Sequence, residues 1–340
     1  MRAGLATILV ALAVGAHAQT MDITITVVPV TNGGAFYLAK EKGYFAQEGL
    51  NVTIEPAGTL AEAIPPLSAG RIQYGAGGLA PSIYNAMAQG LPVKIVASHG
   101  QAPLGHDFLL RPALKDTIKT PKDLKGRVIS TPARSSIITY EVGKILQTAG
   151  LTLKDVELKN IPFNQMAVAF QTGAIDAGIM VPPQTLATVE GGFAVSWINP
   201  EDYIKPQPME IAVTLVNTDW AAKNPKQADG FMYALMRGTR EYCDAYHRAP
   251  NRAEVISHIV KYTTVKAPAA IDKYPWGSRN VRGQVAAASV MDIQDFYLAE
   301  GQSDKKLALE QMVDMKYADA ASARLGPYAP PATAKEPGCR

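Results

Sequence analysis

Short apolar runs alternate with longer amphipathic stretches along residues 22–216, and this pattern predicts alternating β-strands and α-helices. Residues 22–28 (DITITVV) are typical of a strand, because β-branched residues alternate with polar ones. Strands that alternate with helices form largely parallel sheets through right-handed crossovers, so we expect an α/β fold. The predicted strands are residues 22–28, 50–55, 72–76, 93–97, 108–110, 127–130, 156–160, 175–180 and 211–216.

The helices are predicted from amphipathic spacing and from the residues that begin them. The first covers residues 35–47. Thr59, followed three residues later by Glu62, has the spacing of a capping box and predicts a helix from residue 60. Pro65 and Pro66 predict a kink in that helix. The other predicted helices are residues 81–88, 135–149, 163–172, 183–190, 225–246, 252–262, 285–299 and 306–316.

Two similar sets of strands, followed by a helical C-terminal part, predict two lobes that close on a cleft. The chain should cross between the lobes near residues 97–105 and 204–211. We therefore expect residues 19–100 and 212–325 in the first lobe and residues 101–211 in the second. Residues 326–340 contain four prolines and are expected to form a loose tail.

The N-terminus and the composition narrow the functional classes. Arg2, an apolar stretch and an A-x-A pattern indicate that residues 1–18 are a cleaved signal peptide, which predicts export to the periplasm. The net charge of +3 falls to +2 without Arg2, and no dense basic run suggests binding to nucleic acid or a membrane surface. The two cysteines, Cys243 and Cys339, predict neither a disulfide framework nor a cysteine zinc site.

Six small-residue loops follow predicted strands and open predicted helices. Such turns lie at the carboxyl ends of parallel strands, where ligands bind. The free N–H groups and positive dipole end of each helix favour an anion there. We therefore expect a small, anionic ligand between the lobes. The loops are residues 29–36, 57–62, 75–82, 131–136, 162–166 and 180–185.

The segment YLAKEKGYFAQEGL at residues 37–50 resembles the opening of bacterial ABC-transporter substrate-binding proteins of the nitrate, sulfonate, taurine and thiamine-precursor (SsuA/THI5-like) type. The resemblance runs from about Ile23 to Val216 and is carried further by AGRIQYG (69–75), AQGLPVK (88–94), DLKGRV (123–128) and QTGAIDA (171–177). It implies the type II periplasmic binding protein fold, in which two lobes with mostly parallel sheets flank a ligand cleft.

The resemblance also implies a function and partners. The chain is expected to capture a small organic carboxylate or sulfonate, as a monomer without cofactor or metal, and to deliver it to a membrane permease with its ATPase subunit. A thiamine-precursor pyrimidine is the alternative ligand. An enzyme on the same fold, such as a desulfinase with a cysteine nucleophile, is a further alternative. Neither Cys243 nor Cys339 lies in the six loops, which argues against that enzyme.

Arg134 is the leading candidate for a ligand contact, because it is the only cation in the six loops. Its guanidinium could bind a carboxylate or sulfonate through two parallel hydrogen bonds, with Ser135 and Ser136 completing the site. The alternatives are a solvated Arg134 or an ion pair with Glu141.

The other candidates come from the loops and from the first crossing. His99 and His106 lie near that crossing, where a closed cleft could reach them, although ordinary polar positions are the alternative. Turn formation, helix capping and core packing are the alternatives for the glycines, Thr59 and the large apolar residues. The remaining candidate contacts are Asn32, Gly33, Phe36, Gly58, Thr59, Gly78, Leu79, His99, Phe163, Asn164 and Met180.

Overall fold

Two five-stranded β-sheets organise the described part of the chain. The computed structural model describes residues 20–102, 105–133, 136–335 and 337–340, so the expected signal peptide lies outside the described residues. The strands are β1 (Met21–Val27), β2 (Leu50–Pro56), β3 (Tyr74–Gly78), β4 (Val93–Gln101), β5 (Asp107–Leu110), β6 (Val128–Thr131), β7 (Glu157–Asn160), β8 (Ala177–Met180), β9 (Val195–Ile198) and β10 (Glu210–Asn217).

Helices cover both sheets and form most of the C-terminal part. Among the described residues, none of them is long and apolar enough to cross a membrane. They are α1 (Gly34–Glu41), α2 (Tyr44–Gln47), α3 (Ile64–Ser68), α4 (Pro81–Ala88), α5 (Ile137–Gln147), α6 (Phe163–Gln171), α7 (Gln184–Glu190), α8 (Thr218–Lys223), α9 (Pro225–Tyr246), α10 (Arg252–Tyr262), α11 (Pro268–Lys273), α12 (Ala287–Ala299), α13 (Leu309–Met312) and α14 (Lys316–Leu325).

The two sheets share one strand order. The first runs β2-β1-β3-β10-β4 and the second β7-β6-β8-β5-β9. β1 is parallel to β2 and β3, and β6 is parallel to β7 and β8. β10 and β5 are antiparallel to both of their neighbours. Each sheet is therefore parallel apart from one reversed strand in the fourth position.

The reversed strands mark the two places where the chain changes sheets. It leaves the first sheet after Gln101 and enters the second at Asp107, and it returns between Ile198 and Glu210. Each crossing therefore delivers the antiparallel strand, and the parallel strands of both sheets end toward the same central space. The predicted α/β fold with two mostly parallel sheets is confirmed, whereas the predicted lobe boundaries stay a prediction.

Two glycines shape the helices that pack on the first sheet. Gly43 has φ of 70°, in the left-handed region, and it ends α1 before α2 begins. The predicted single helix over residues 35–47 is thus two helices. Gly238 lies inside α9 where a Cβ would collide with the carbonyl oxygen of Ala35, so a glycine is needed for α9 to pack closely on α1.

The C-terminal end of the chain differs most from expectation. Cys243 in α9 forms a disulfide with Cys339, 96 residues later, and Cys339 is 1% exposed. The Tyr246 hydroxyl donates to the carbonyl oxygen of Pro337 (2.6 Å). The sequence analysis predicted no disulfide framework and did not foresee this single cross-link, which attaches the end of the expected loose tail to α9.

Candidate ligand-binding site

One cavity lies where the strand ends of the two sheets face each other. Its volume is about 90 Å³, whereas a single water needs roughly 10–15 Å³ on the same scale. The two sides touch, since the Thr31 N–H approaches the carbonyl oxygen of Pro182 at 3.5 Å. The cavity is lined by Val28, Val30, Thr31, Asn32, Gly58, Thr59, Leu60, Gly77, Gly78, Ala80, His99, His106, Pro132, Ser136, Ile137, Ile138, Phe163, Val181, Pro182, Ile211 and Ala212.

All six loops contribute to this cavity. The first sheet supplies the loops after β1, β2 and β3, and the second supplies those after β6, β7 and β8. This convergence follows from topology, because the carboxyl ends of parallel strands meet at one edge of a sheet. Most of the lining is aliphatic, with polar atoms from a few Thr, Asn, Ser and His side chains. The cavity therefore suits an apolar body that carries a small number of polar groups.

Asn32 is the most firmly positioned polar residue on the first sheet's side. A Cβ on Gly100 would lie 2.8 Å from its Nδ2 atom, and a Cβ on Gly277 would collide with its side-chain amide. The backbone carbonyl of Asn32 accepts a hydrogen bond from Arg279 Nη2 (2.8 Å). The two glycines and the arginine thus fix the position of this amide at the cavity wall.

Thr59 does not form the capping box that its spacing predicts. Its side chain makes no cap bond to the backbone, and Glu62 instead accepts from the Gly58 N–H at 3.1 Å. The Thr59 hydroxyl donates to Glu62 (3.4 Å). Its oxygen lone pairs therefore stay available to a ligand in the cavity.

His99 on β4 is a neutral imidazole in the cavity wall. Its ring makes an edge contact with Phe36, with the ring centroids 5.0 Å apart. Burial and then the nearby positive charge of Arg279 hold the pKa of His99 well below its usual range. One ring nitrogen can therefore donate and the other accept a hydrogen bond at neutral pH.

His106 and Glu141 form a buried pair on the second sheet's side. The Nδ1 atom of His106 lies 3.0 Å and 3.1 Å from the two carboxylate oxygens of Glu141. Glu141 in α5 is fully buried, and the His106 ring lines the cavity. This contact occupies one ring nitrogen and leaves the other on the cavity side.

The described residues that line the cavity include no Asp, Glu, Lys or Arg. Arg279 contacts the lining residue Asn32 and is 2% exposed, and its guanidinium carbon lies 3.7 Å from the centroid of the Tyr242 ring. Among the described residues, no carboxylate pairs with it, and its Nε atom has no hydrogen-bond partner. Within the described part of the chain, the positive charge that contacts the backbone of Asn32 is therefore not paired with a carboxylate.

The chain matches a known protein family over most of its length. Residues 30–249 match the family model described as NMT1/THI5 like. The chain belongs to this family. The resemblance seen in the sequence motifs is thereby confirmed, and the matched part includes both sheets' strands from β2 to β10.

Relatives of this NMT1/THI5-like chain differ in what they bind. The formylaminopyrimidine-binding protein of Halalkalibacterium halodurans is 26% identical over 222 residues, which are 65% of this chain and 65% of that protein, slightly less than two thirds of its length. The alkanesulfonate-binding protein SsuA of Xanthomonas axonopodis pv. citri, bound to MOPS, has a TM-score of 0.69 and 20% identity, covering 87% of this chain and 99% of the other.

A third similar structure is an enzyme. The desulfurization enzyme DSZB has a TM-score of 0.62 and 16% identity, and the match covers 90% of this chain and 100% of that one. At such identities the solved structures show the fold alone, which is the periplasmic binding protein fold.

The structure of this NMT1/THI5-like chain separates the predicted contacts into two groups. Arg134 and Ser135 lie outside the described residues, but Pro132 and Ser136 beside them line the cavity. The predicted contacts that line the cavity are Asn32, Gly58, Thr59, Gly78, His99, Ser136 and Phe163.

The other predicted contacts do not line the cavity. Phe36, Leu79 and Met180 are completely buried in the hydrophobic core, and Asn164 is exposed. A Cβ on Gly33 would collide with the Tyr37 ring, so this glycine permits close packing of α1. Leu79 and Met180 each neighbour a lining residue, because successive side chains of an extended chain point to opposite sides.

Sequence reasoning named only some of the lining residues within the six loops, and outside the loops it missed Val28 and residues on the reversed strand β10 and in the first turn of α5. Ile211 and Ala212 line the cavity from β10, and Ile137 and Ile138 line it from α5. The first two follow the second crossing, which is the only sequence signal that could have found them. Within the described residues, no group of three or more His, Cys, Asp or Glu is arranged to hold a metal ion.

Proposed function

We propose that this protein is the solute-binding component of an ABC importer and that it binds a small organic anion with an apolar body. The observation that carries the proposal is the cavity itself. All six loops reach it, its walls are aliphatic, and a few polar groups stand at fixed positions. Members of this fold that bind sulfonate support the same class of ligand.

The charge of the ligand is argued from Arg279 and Arg134. Arg279 is buried without a described carboxylate partner and holds the backbone of Asn32 at the cavity wall. Arg134 stands in the sequence between the cavity-lining residues Pro132 and Ser136. A carboxylate or sulfonate in the cavity would supply a negative charge for these two cations.

The proposed mechanism is closure of the two lobes around the ligand. A solute that contacts both sides stabilises the closed arrangement because it binds that arrangement more tightly than the open one. The closed protein, a monomer in the periplasm, would then bind a membrane permease whose ATPase subunit drives transport.

A pyrimidine is the second candidate ligand. The described lining is neutral, and His99, Asn32 and Thr59 offer hydrogen bonds that suit a ring nitrogen or an amino group. The formylaminopyrimidine-binding relative favours this class. We do not propose an enzyme: both cysteines are joined in the disulfide, so no described thiol could act as a desulfinase nucleophile.

Ligand binding is expected to raise the melting temperature. Because a ligand that binds the folded state alone stabilises it by about 2.7 kcal/mol at a hundred times its Kd, a shift of several degrees should follow. The panel contains aromatic and aliphatic carboxylates and sulfonates, matched neutral amides, and aminopyrimidines, and the readout is a thermal denaturation scan. A shift with carboxylates or sulfonates supports the proposal, a shift with aminopyrimidines alone supports the second candidate, and no shift in the whole panel contradicts both.

Arg134→Ala is expected to raise the Kd for an organic anion by tenfold or more. Truncation of one partner in a buried charge pair costs about 2–5 kcal/mol. Isothermal titration calorimetry with the tightest anion of the panel measures the change. Lys125→Ala removes an exposed cation that precedes β6 and does not line the cavity, and it should leave the Kd unaltered. An equal Kd for Arg134→Ala and the parent protein would exclude the proposed contact.

A further inference from the structure

The His106–Glu141 pair places a proton-dependent hydrogen-bonding group in the cavity wall. Glu141 is fully buried and His106 is 7% exposed, and the Nδ1 atom of His106 lies 3.0 Å from Glu141 Oε1. An ionised Glu141 can only accept a hydrogen bond, and in that state the Nδ1 atom carries the proton of this contact. The orientation of the ring is thereby fixed.

The other ring nitrogen is available to a ligand. Within the described residues, Nε2 of His106 has no hydrogen-bond partner, and it is not among the polar atoms that are sealed from solvent. His106 lines the cavity, and its Nδ1 atom is held by Glu141, so we infer that a ligand in the cavity reaches Nε2. A neutral His106 offers a lone pair there, and an imidazolium offers an N–H donor.

Among the described residues, His106 is the only basic group that pairs with Glu141. Tyr140 and Tyr297 face Glu141 from α5 and α12, and burial raises the pKa of both phenols, so both stay neutral. The carboxyl of Asp107, next along the chain, accepts a hydrogen bond from Ser196. Burial raises the pKa of Asp107.

The second imidazole in the cavity has the opposite environment. His99 lies near Arg279 and not near a carboxylate, and its pKa is held well below the usual range by burial and by that cation. His99 therefore stays neutral, whereas His106 has a buried carboxylate at its Nδ1 atom. The two histidines are matched in residue type and differ in the charge behind them, which makes His99 the natural control.

We propose that the His106–Glu141 pair couples binding of an organic anion to the uptake of one proton at His106 Nε2. This inference rests on the proposed function. An anion next to a neutral His106 would meet the Nε2 lone pair and the buried negative charge of Glu141, which disfavours binding. Once a proton from solvent is on Nε2, the pair is neutral overall and donates a hydrogen bond to the anion. A neutral ligand needs no such proton.

The test compares benzoate with benzamide, its uncharged analogue, by titration calorimetry between about pH 6 and pH 9. Affinity for benzoate is expected to fall with rising pH, approaching tenfold per pH unit at the alkaline end, because one proton is bound with each anion. Affinity for benzamide should not vary. Titrations in two buffers of different ionisation enthalpy should show uptake of about one proton with benzoate at alkaline pH.

Three variants locate the proton. Glu141→Gln removes the buried charge and allows the neutral tautomer with Nε2–H, so the pH dependence should flatten and benzoate should bind more tightly than to the parent protein at pH 9. His106→Gln should also flatten it. His99→Gln loses affinity but should retain the slope. The proposal would be overturned if the affinity of the parent protein for benzoate did not change with pH, or if the affinity of His106→Gln fell with pH as steeply as that of the parent.

The ligand-free protein provides a readout that does not depend on the proposed function. Nitrogen-15 NMR of histidine-labelled protein should show the proton of neutral His106 on Nδ1, and Glu141→Gln should remove this preference. If neither benzoate nor any panel anion binds, the proposed ligand class fails, while the NMR result still decides whether the pair holds its proton as inferred. An unprotonated Nδ1 atom would refute the pair.

Discussion

Cys339→Ser is expected to lower the free energy of unfolding by about 2–5 kcal/mol, a large part of the typical stability of a protein. The disulfide joins Cys243 in α9 to a residue 96 positions later, and it closes a long loop in the unfolded chain. In the chain-entropy model, a loop of this length is among the most stabilising, at roughly 4.7 kcal/mol. Urea denaturation of the protein without residues 1–18 gives the free energy.

Two comparisons show whether loss of the disulfide itself causes the lower stability of Cys339→Ser. The double variant Cys243→Ser with Cys339→Ser and the parent protein in reductant should have the same lowered stability as Cys339→Ser. Tyr246→Phe keeps the disulfide and removes the hydrogen bond to Pro337, so it should cost only about 0.5–1.5 kcal/mol. Equal stability of the oxidised and reduced parent protein would contradict the prediction.

Strands were predictable wherever one face of the chain is buried. In β1 and β10 the apolar residues pack into the core, and the predicted bounds differ from the observed ones by a single residue. β9 was missed because it is half-exposed along its length and so lacks a burial pattern. Its pairing with β5 is a tertiary contact that leaves no local signal.

The direction of the strands and the disulfide could not be predicted from the sequence, because both depend on tertiary contacts. The residue pattern at 107–110 and 210–217 does not indicate that these strands run antiparallel to their neighbours. The direction of each strand is set by the place where the chain crosses between the sheets. Cys243 and Cys339 are brought together only when the end of the chain packs on α9. Both features depend on residues far apart in the chain.

The candidate site was predictable at the level of loops and less so at the level of side chains. Topology places all six loops at one cavity, as expected. Which residues of each loop line the cavity depends on the direction of their side chains. Gly78 and Ala80 line the cavity, whereas Leu79 between them packs into the core. His106 gains its importance from Glu141, 35 residues away, and this pairing could not be read from either residue alone.

Glu210→Gln is expected to make the protein more stable than its parent at alkaline pH, by up to roughly 5 kcal/mol. Burial raises the pKa of Glu210 to about 8, against an ordinary value of 4.5, although Ala286, Gln101 and Ser98 donate hydrogen bonds that lower it. The folded state therefore holds a proton that the unfolded state has released between these two values. Each pKa unit corresponds to about 1.36 kcal/mol.

The direction of the pH dependence follows from this difference. Below pH 4.5 both states of the parent protein are protonated at Glu210, and its contribution to stability is complete. As pH rises toward 8, that contribution is lost, because stability falls wherever the folded state binds more protons. Glutamine cannot ionise, and its amide can still donate to Ser98 while its oxygen accepts from Gln101 and Ala286. The variant should thus match the parent near pH 5 and exceed it near pH 9.

Urea denaturation of both proteins at several pH values between about 5 and 9 measures this difference. Glu157→Gln, at an exposed position of β7, is the control and should not change the pH dependence. Glu210→Ala should destabilise the protein at every pH because it leaves buried donors without a partner. If the free energy of unfolding changed with pH in the same way for Glu210→Gln and the parent protein, Glu210 would not titrate in this range.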